Sequence, residues 1–155
     1  MHPRPLGAHA GRALHALTLP SLTAWPPALL TPATPFTLLL ACDARSEPDA
    51  AVDEAARRAL AAGLVYTVAW GPGCERVHDR FDRVIEEQGR DEVLTTWHDD
   101  EPLEEALWFF VHAAAPPTPC RTGLVAVVGA CAEAERVARA LAPWHDDRAT
   151  STLGP

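Results

Sequence analysis

From Phe36 onward, apolar and polar positions alternate between two periods. Phe36–Cys42 is an unbroken apolar run ending at Asp43, the pattern of a strand buried on both faces. Ser46-Glu-Pro-Asp49 then opens a helix, with proline in its first turn and acids at the positive end of the dipole. Gly63 stands where a left-handed residue closes it. Leu64–Trp70 reads as a second strand, followed by the turn Gly71-Pro72-Gly73. The next helix, over about 74–88, sets Val77, Phe81, Val84 and Ile85 on one stripe, and Gly89 ends it. Residues 93–97 form a third strand. Asp99 or Asp100 is expected to cap a third helix, with Leu103, Ala106, Leu107, Phe110 and Val111 facing inward. After a proline-rich loop come a fourth strand at 124–128 and a last helix at Cys131–Leu141.

Strands alternating with helices predict an α/β domain in three layers, a four-stranded parallel sheet with helices on both faces, over residues 36–143. Right-handed crossovers favour the flavodoxin-like or Rossmann-like order 2-1-3-4 over 1-2-3-4. That order puts the topological switch point between strands one and three. Residues 1–35 read as a proline-rich, irregular N-terminal arm with one short helix at 12–17, and residues 144–155 as a polar tail. Trp108, Phe109 and Phe110 point about 100° apart on a helix, so they cannot share one core. The arm, through Leu19, Leu22, Trp25, Leu29 and Leu30, is expected to cover part of the domain, a homodimer or another protein being the alternative cover.

A chain of 155 residues is one domain with a core of its own. All 13 basic residues are Arg, and the absence of Lys removes Schiff-base chemistry and the phosphate-loop lysine. Against them stand 21 acids, for a net charge of −8. Arg4 and Arg12 are the only charges before residue 36, so the body is more acidic than the total suggests. Such a surface repels phosphate backbones, which excludes nucleic acid as the expected partner. Arg76, Arg80, Arg83 and Arg90 are interleaved with acids, and Asp53–Arg57, Glu54–Arg58, Asp79–Arg83 and Glu86–Arg90 are spaced as i,i+4 pairs. No apolar run is long enough to span a bilayer. The four cysteines, at 42, 74, 120 and 131, form no CxxC pair and read as free thiols in a reducing cytoplasm.

Candidate chemistry gathers at the expected carboxyl ends of the strands, where open α/β sheets bind ligands. Asp43, Asp99 and Asp100 could hold Mg²⁺; the plainer account makes them caps and an Asx-type turn. Cys74 opens a helix, where the dipole favours a thiolate, although Glu75 beside it does not; Cys131 repeats that geometry beside Glu133. His98 could act as a general base oriented by Asp43 or Asp99, against a satisfied structural histidine. No serine nucleophile elbow accompanies it. Trp70, Gly71 and Gly73 would wall a ligand, but Gly71-Pro-Gly73 lacks the third glycine of a dinucleotide fingerprint. Trp-His-Asp-Asp occurs twice, at 97–100 and 144–147.

The segments Ala69-Trp-Gly-Pro-Gly-Cys-Glu-Arg-Val-His-Asp79 and Thr95-Thr-Trp-His-Asp-Asp-Glu-Pro-Leu-Glu-Glu-Ala-Leu-Trp-Phe-Phe110 resemble an uncharacterised bacterial family, a domain of unknown function. The resemblance spans about 36–130 and implies one compact domain with no assigned reaction, cofactor or partner. Two functions are therefore expected to compete. One is a small acidic binding or adaptor module acting through protein contacts, with no cofactor. The other is a metal- or thiol-dependent hydrolase or transferase, with Asp43, Cys74, His98 and Asp99 as catalytic groups and Mg²⁺ as its ion.

Overall fold

The computed structural model describes residues 2–29, 33–129 and 131–142. The second Trp-His-Asp-Asp, the polar tail and Leu30 lie outside the described residues. Six strands form one mixed sheet: β1 (Arg4–His9), β2 (Arg12–Leu19), β3 (Phe36–Cys42), β4 (Leu64–Trp70), β5 (Leu94–His98) and β6 (Thr122–Val128). The helices are α1 (Asp49–Ala62), α2 (Cys74–Glu87), α3 (Leu103–His112) and α4 (Cys131–Leu141). The sheet order is β1-β2-β6-β3-β4-β5, with β1 antiparallel to β2 and every other pair parallel.

Three layers follow from the burial pattern. All seven residues of β3 are buried, so its alternate side chains feed two cores. Leu38 and Leu40 join α1 and α2 on one face, with Val52, Ala56, Val77 and Phe81. Leu39 and Ala41 meet α3 and α4 on the other, with Leu107, Phe110, Val137 and Leu141. Small alanines on α1 let that helix lie close to the sheet. Gly63, at φ 112°, ends α1 as expected and lies so close to the Thr34 carbonyl that a Cβ would collide with it.

Two expectations about topology are corrected. The four anticipated strands are β3, β4, β5 and β6, but β3 lies between β4 and β6, giving 4-1-2-3 where 2-1-3-4 was favoured. The cause is that α1 and α2 carry the chain outward on one face, and α3 then returns it across the other face to β6. The arm is also not irregular. Residues 4–9 and 12–19 form a hairpin, and the expected helix at 12–17 is strand β2. Ala10 and Gly11 both have positive φ, 50° and 79°, the left-handed pair that a two-residue hairpin turn requires. β2 pairs with β6 from Ala13↔Thr122 to Leu19↔Val128, which widens the parallel sheet to five strands.

The arm does cover the domain. Leu19, Leu22, Trp25 and Leu29 are buried in the same core as α1. Glu47 ties the arm down: one carboxylate oxygen accepts from Ser21 Oγ at 3.0 Å and from the Leu22 N–H at 3.1 Å. Between α1 and α2, buried Asp53 turns away from Arg57 and takes Arg80 Nε at 2.7 Å, with Arg83 at 3.4 Å. Glu54–Arg58 forms as expected, at 2.9 Å. The other two spaced pairs are replaced, since Arg83 meets Glu87 at 3.3 Å and Arg90 meets Glu92 at 2.6 Å. The caps differ as well. Pro102 precedes α3 with no side-chain cap, and Asp100 instead takes a left-handed turn at φ 55°.

Two measurements check this frame. Trp25→Ala should cost about 3–5 kcal/mol in urea unfolding, the range for deleting a buried indole. Asp53→Asn should cost about 1–3 kcal/mol at neutral pH. Arg80 holds the Asp53 carboxyl below its usual range, so that stabilisation is present above the ordinary value of 3.8 and lost as pH falls through the lower folded value. The stability curves of wild type and Asp53→Asn should converge in acid, and parallel curves would refute the pairing.

Candidate functional site

The strand order decides where ligands can sit. α1 leaves β3 for one face and α4 leaves β6 for the other, so a crevice opens between the carboxyl ends of these two strands. A cavity of about 420 Å³ lies there, lined on the strand side by Cys42, Asp43, Val128 and Gly129. Ser46, Glu47, Trp70 and Glu133 complete its polar and aromatic wall. Among the described residues, no basic side chain lines it. One carboxylate oxygen of Glu133, in the first turn of α4, is buried with no hydrogen-bond partner among the described residues.

A second hollow of about 350 Å³ lies at the ends of β4 and β5, lined by Trp70, Gly71, Pro72, Gly73, His98, Asp99, Asp100 and Glu101. Trp70 belongs to both, and its Nε1 donates to the Glu101 carbonyl at 2.8 Å, fixing the ring as the partition. The expected residues are therefore divided. Trp70, Gly71, Gly73, His98 and Asp99 share one hollow, while Asp43 lies in the other, because β4 separates β3 from β5.

Asp43 and His98 have local partners, while Asp99 is exposed. Asp43 caps the single helical turn at Ala44–Ser46, accepting from the Arg45 N–H at 3.1 Å. The Arg45 guanidinium grips both its oxygens, at 2.9 and 2.7 Å, and holds its carboxyl below the usual carboxylate range. His98 is buried against Phe109, ring centres 4.6 Å apart, with Nδ1 2.9 Å from Glu101 and Nε2 3.2 Å from Thr96 Oγ1. Both nitrogens are thus engaged, and the proposed Asp43–His98 bond is not made. Among the described residues, no three His, Cys, Asp or Glu side chains converge as metal ligands would, which parts Asp43 from Asp99 and Asp100 as an Mg²⁺ set.

The thiols of Cys42 and Cys74 are buried. Burial pushes Cys42 up to about 12, with Glu47 and Asp43 adding repulsion. Burial likewise raises Cys74, against a lowering contribution from the His98 backbone N–H. Desolvation thus outweighs the helix dipole that suggested a thiolate at Cys74. The side chain of Cys131 lies outside the described residues. Gly71, at φ 114°, packs so closely on the Cys42 carbonyl that any Cβ would collide with it, which explains the glycine without a ligand.

The residues that sequence reasoning passed over are Glu47, Ser46 and Glu133, read only as parts of helix openings, and the exposed hydrophobics of β5. Leu94 and Trp97 are 41% and 42% exposed, and Trp108 on α3 is 51% exposed. The staggering of Trp108 to Phe110 did put one aromatic outside the core, but the arm residues expected as its cover pack on the opposite face, with α1 and α2. The position of Trp108 beside an edge strand depended on the strand order.

A mixed six-stranded sheet, helices on both faces and two hollows along its carboxyl edge define an α/β domain of the open-sheet kind. The model of one family, described as a domain of unknown function (DUF7684), matches residues 14–143, and the chain belongs to that family. The match begins inside β2 and so includes strand, arm and core together. Neither the curated proteins nor the solved structures contain a significant match. No helix among the described residues is long and apolar enough to cross a membrane.

The thiol assignment has a direct check. At mildly alkaline pH, iodoacetamide should label native Cys120, which is partly exposed, well before the buried Cys42 and Cys74. Mass mapping that finds Cys74 modified first would restore it as a reactive group.

Proposed function

We propose that the chain is a binding module that acts through protein contacts at its β5–α3 side, in a reducing, cytoplasmic setting. One observation carries this reading. The large hydrophobics exposed among the described residues are Leu94, Trp97 and Trp108, and all lie on β5 and α3. Burying apolar surface stabilises by roughly 25 cal/mol per Å², so uncovered indoles are a cost that a partner would relieve. Tryptophan is also the side chain most enriched where interface energy concentrates. The rings are held ready: Trp97 rests on His78 at 4.4 Å, and Trp108 on His112 at 5.2 Å. Three unpaired cysteines fit the reducing setting.

The hydrolase alternative draws less support, since its thiols are held protonated and its carboxylates are shared between two hollows. A second reading keeps one specific observation, the unpartnered buried oxygen of Glu133 in the β3–β6 cavity. It favours a small ligand with a hydrogen-bond donor or positive group there.

A photoreactive cross-linker at position 108 tests the main reading. A protein captured by it, once purified, should bind the wild-type chain and lose on the order of tenfold or more in affinity toward Trp97→Lys/Trp108→Lys. The melting temperature of that double variant should stay near wild type, because both indoles are exposed. Full binding by the double variant would place the contact surface elsewhere and defeat the reading.

A further inference from the structure

The two edges of the sheet are built differently. β1, at one end, contains Pro5 and Gly7, with a register shift between them, devices that keep a sheet edge from accepting another strand. β5, at the other end, is Leu94-Thr-Thr-Trp-His98, with no proline, glycine, lysine or bulge. It pairs only with β4, so among the described residues its outer row of N–H and C=O groups faces away from the sheet. Threonine and tryptophan are strand-favouring residues, and Leu94 and Trp97 lie exposed on it, placed on opposite faces by the strand's period of two.

The charge around this edge is mostly acidic. Asp91 and Glu92 precede β5, Asp99 and Asp100 follow it, and all four are exposed. Asp82 of α2, also exposed, accepts from Thr95 Oγ1. The base beside the strand, Arg90, is bonded to Glu92 at 2.6 Å. A second copy of the chain would lay the same acids against these, whereas a cationic segment would meet its complement.

Resting on the protein-binding reading above, we infer that β5 takes an extended basic segment of a partner as an added strand. Backbone hydrogen bonds supply the register, Leu94 and Trp97 take alternate apolar side chains on the two faces, and the flanking carboxylates select Arg or Lys. Charge alone would not need an extended backbone, and an apolar edge alone would not choose a basic sequence; the two features together specify this occupant.

The probe is a synthetic peptide with a central run of four valines flanked by pairs of arginines, which offers apolar side chains to both faces, titrated onto the full chain by calorimetry. It should bind, weaken with added salt, and lose on the order of tenfold in affinity toward Trp97→Lys or Leu94→Lys, with a smaller loss toward Trp108→Lys on the neighbouring helix. Two versions N-methylated on alternate residues should split, one binding and the other not, because only one set of N–H groups faces β5. Equal binding by both versions overturns strand addition, as does an equally tight acidic analogue. Loss with Trp108→Lys but not Trp97→Lys also overturns it, while leaving a protein-binding surface on α3. No binding by any peptide, together with a cross-linked partner that ignores all three variants, defeats the underlying reading too. A concentration-dependent dimer abolished by Trp97→Lys overturns the proposal in favour of a second copy.

Discussion

The architecture depends on β3 being enclosed on every side. It is paired along both edges, to β4 and β6, and covered on both faces, so all seven of its residues are buried. A strand in that position tolerates neither polar side chains nor a register slip, since a shift of one residue would exchange the two cores. Its exit is equally constrained. The Cys42 carbonyl lies under Gly71, and the Ala44 N–H donates to the Pro72 carbonyl at 2.8 Å, which locks the ends of β3 and β4 together. With β4 closed off in this way, the free side of β3 is the one toward β6. The larger cavity lies there because that is where the flanking helices part.

Arginine supplies every fixed positive side chain, and six of these residues, Arg12, Arg58, Arg76, Arg80, Arg83 and Arg136, join one element to another. Arg12 donates to the Phe110 and Ala114 carbonyls at 3.1 and 2.6 Å, tying β2 to the end of α3, where the helix dipole favours a cation. Arg76 reaches from α2 to the Glu47 carbonyl at 2.7 Å and also meets Asp49 and the Ala44 carbonyl. Arg136 of α4 grips Glu104 of α3 through two bonds, at 3.1 and 3.0 Å, and holds that carboxyl below its usual range. A planar guanidinium with five donors suits such multi-point ties better than an ammonium would. The consequence is electrostatic. With those arginines committed to the frame, Asp91, Asp99 and Asp100 are left exposed around β5.

The repeating unit from Phe36 to Leu141 was legible because long buried runs and amphipathic stripes leave strong periodic signals. Strand β2 was not, for a physical reason. Lying inside the sheet, it buries Leu14 in one core and Leu17 in the other, and that three-residue spacing imitates a helix. The hairpin turn was hidden too, since Ala-Gly lacks the Asn or Asp that marks such turns. Strand order leaves no trace in periodicity, because a returning helix can cross one strand or three with the same amphipathic stripe. The candidate site inherited that ambiguity. Its residues were correctly assigned to strand ends, but whether Asp43 meets His98 turns on which strand lies between them.

Three of the four residues chosen for their reactivity have partners within the fold, while Asp99 stays exposed. Both oxygens of Asp43 are held by Arg45, both ring nitrogens of His98 have partners, and the sulfur of Cys74 is buried near a backbone N–H. Reactivity in isolation is a property of the side chain; availability is a property of its surroundings, and here the two diverge. What the fold leaves unspent is of another kind: an unpaired strand edge, exposed indoles and a surplus of carboxylates. These are groups that gain by contact and not by bond making. That remainder, and not the bonded groups at the strand ends, is the ground on which the proposed binding role rests.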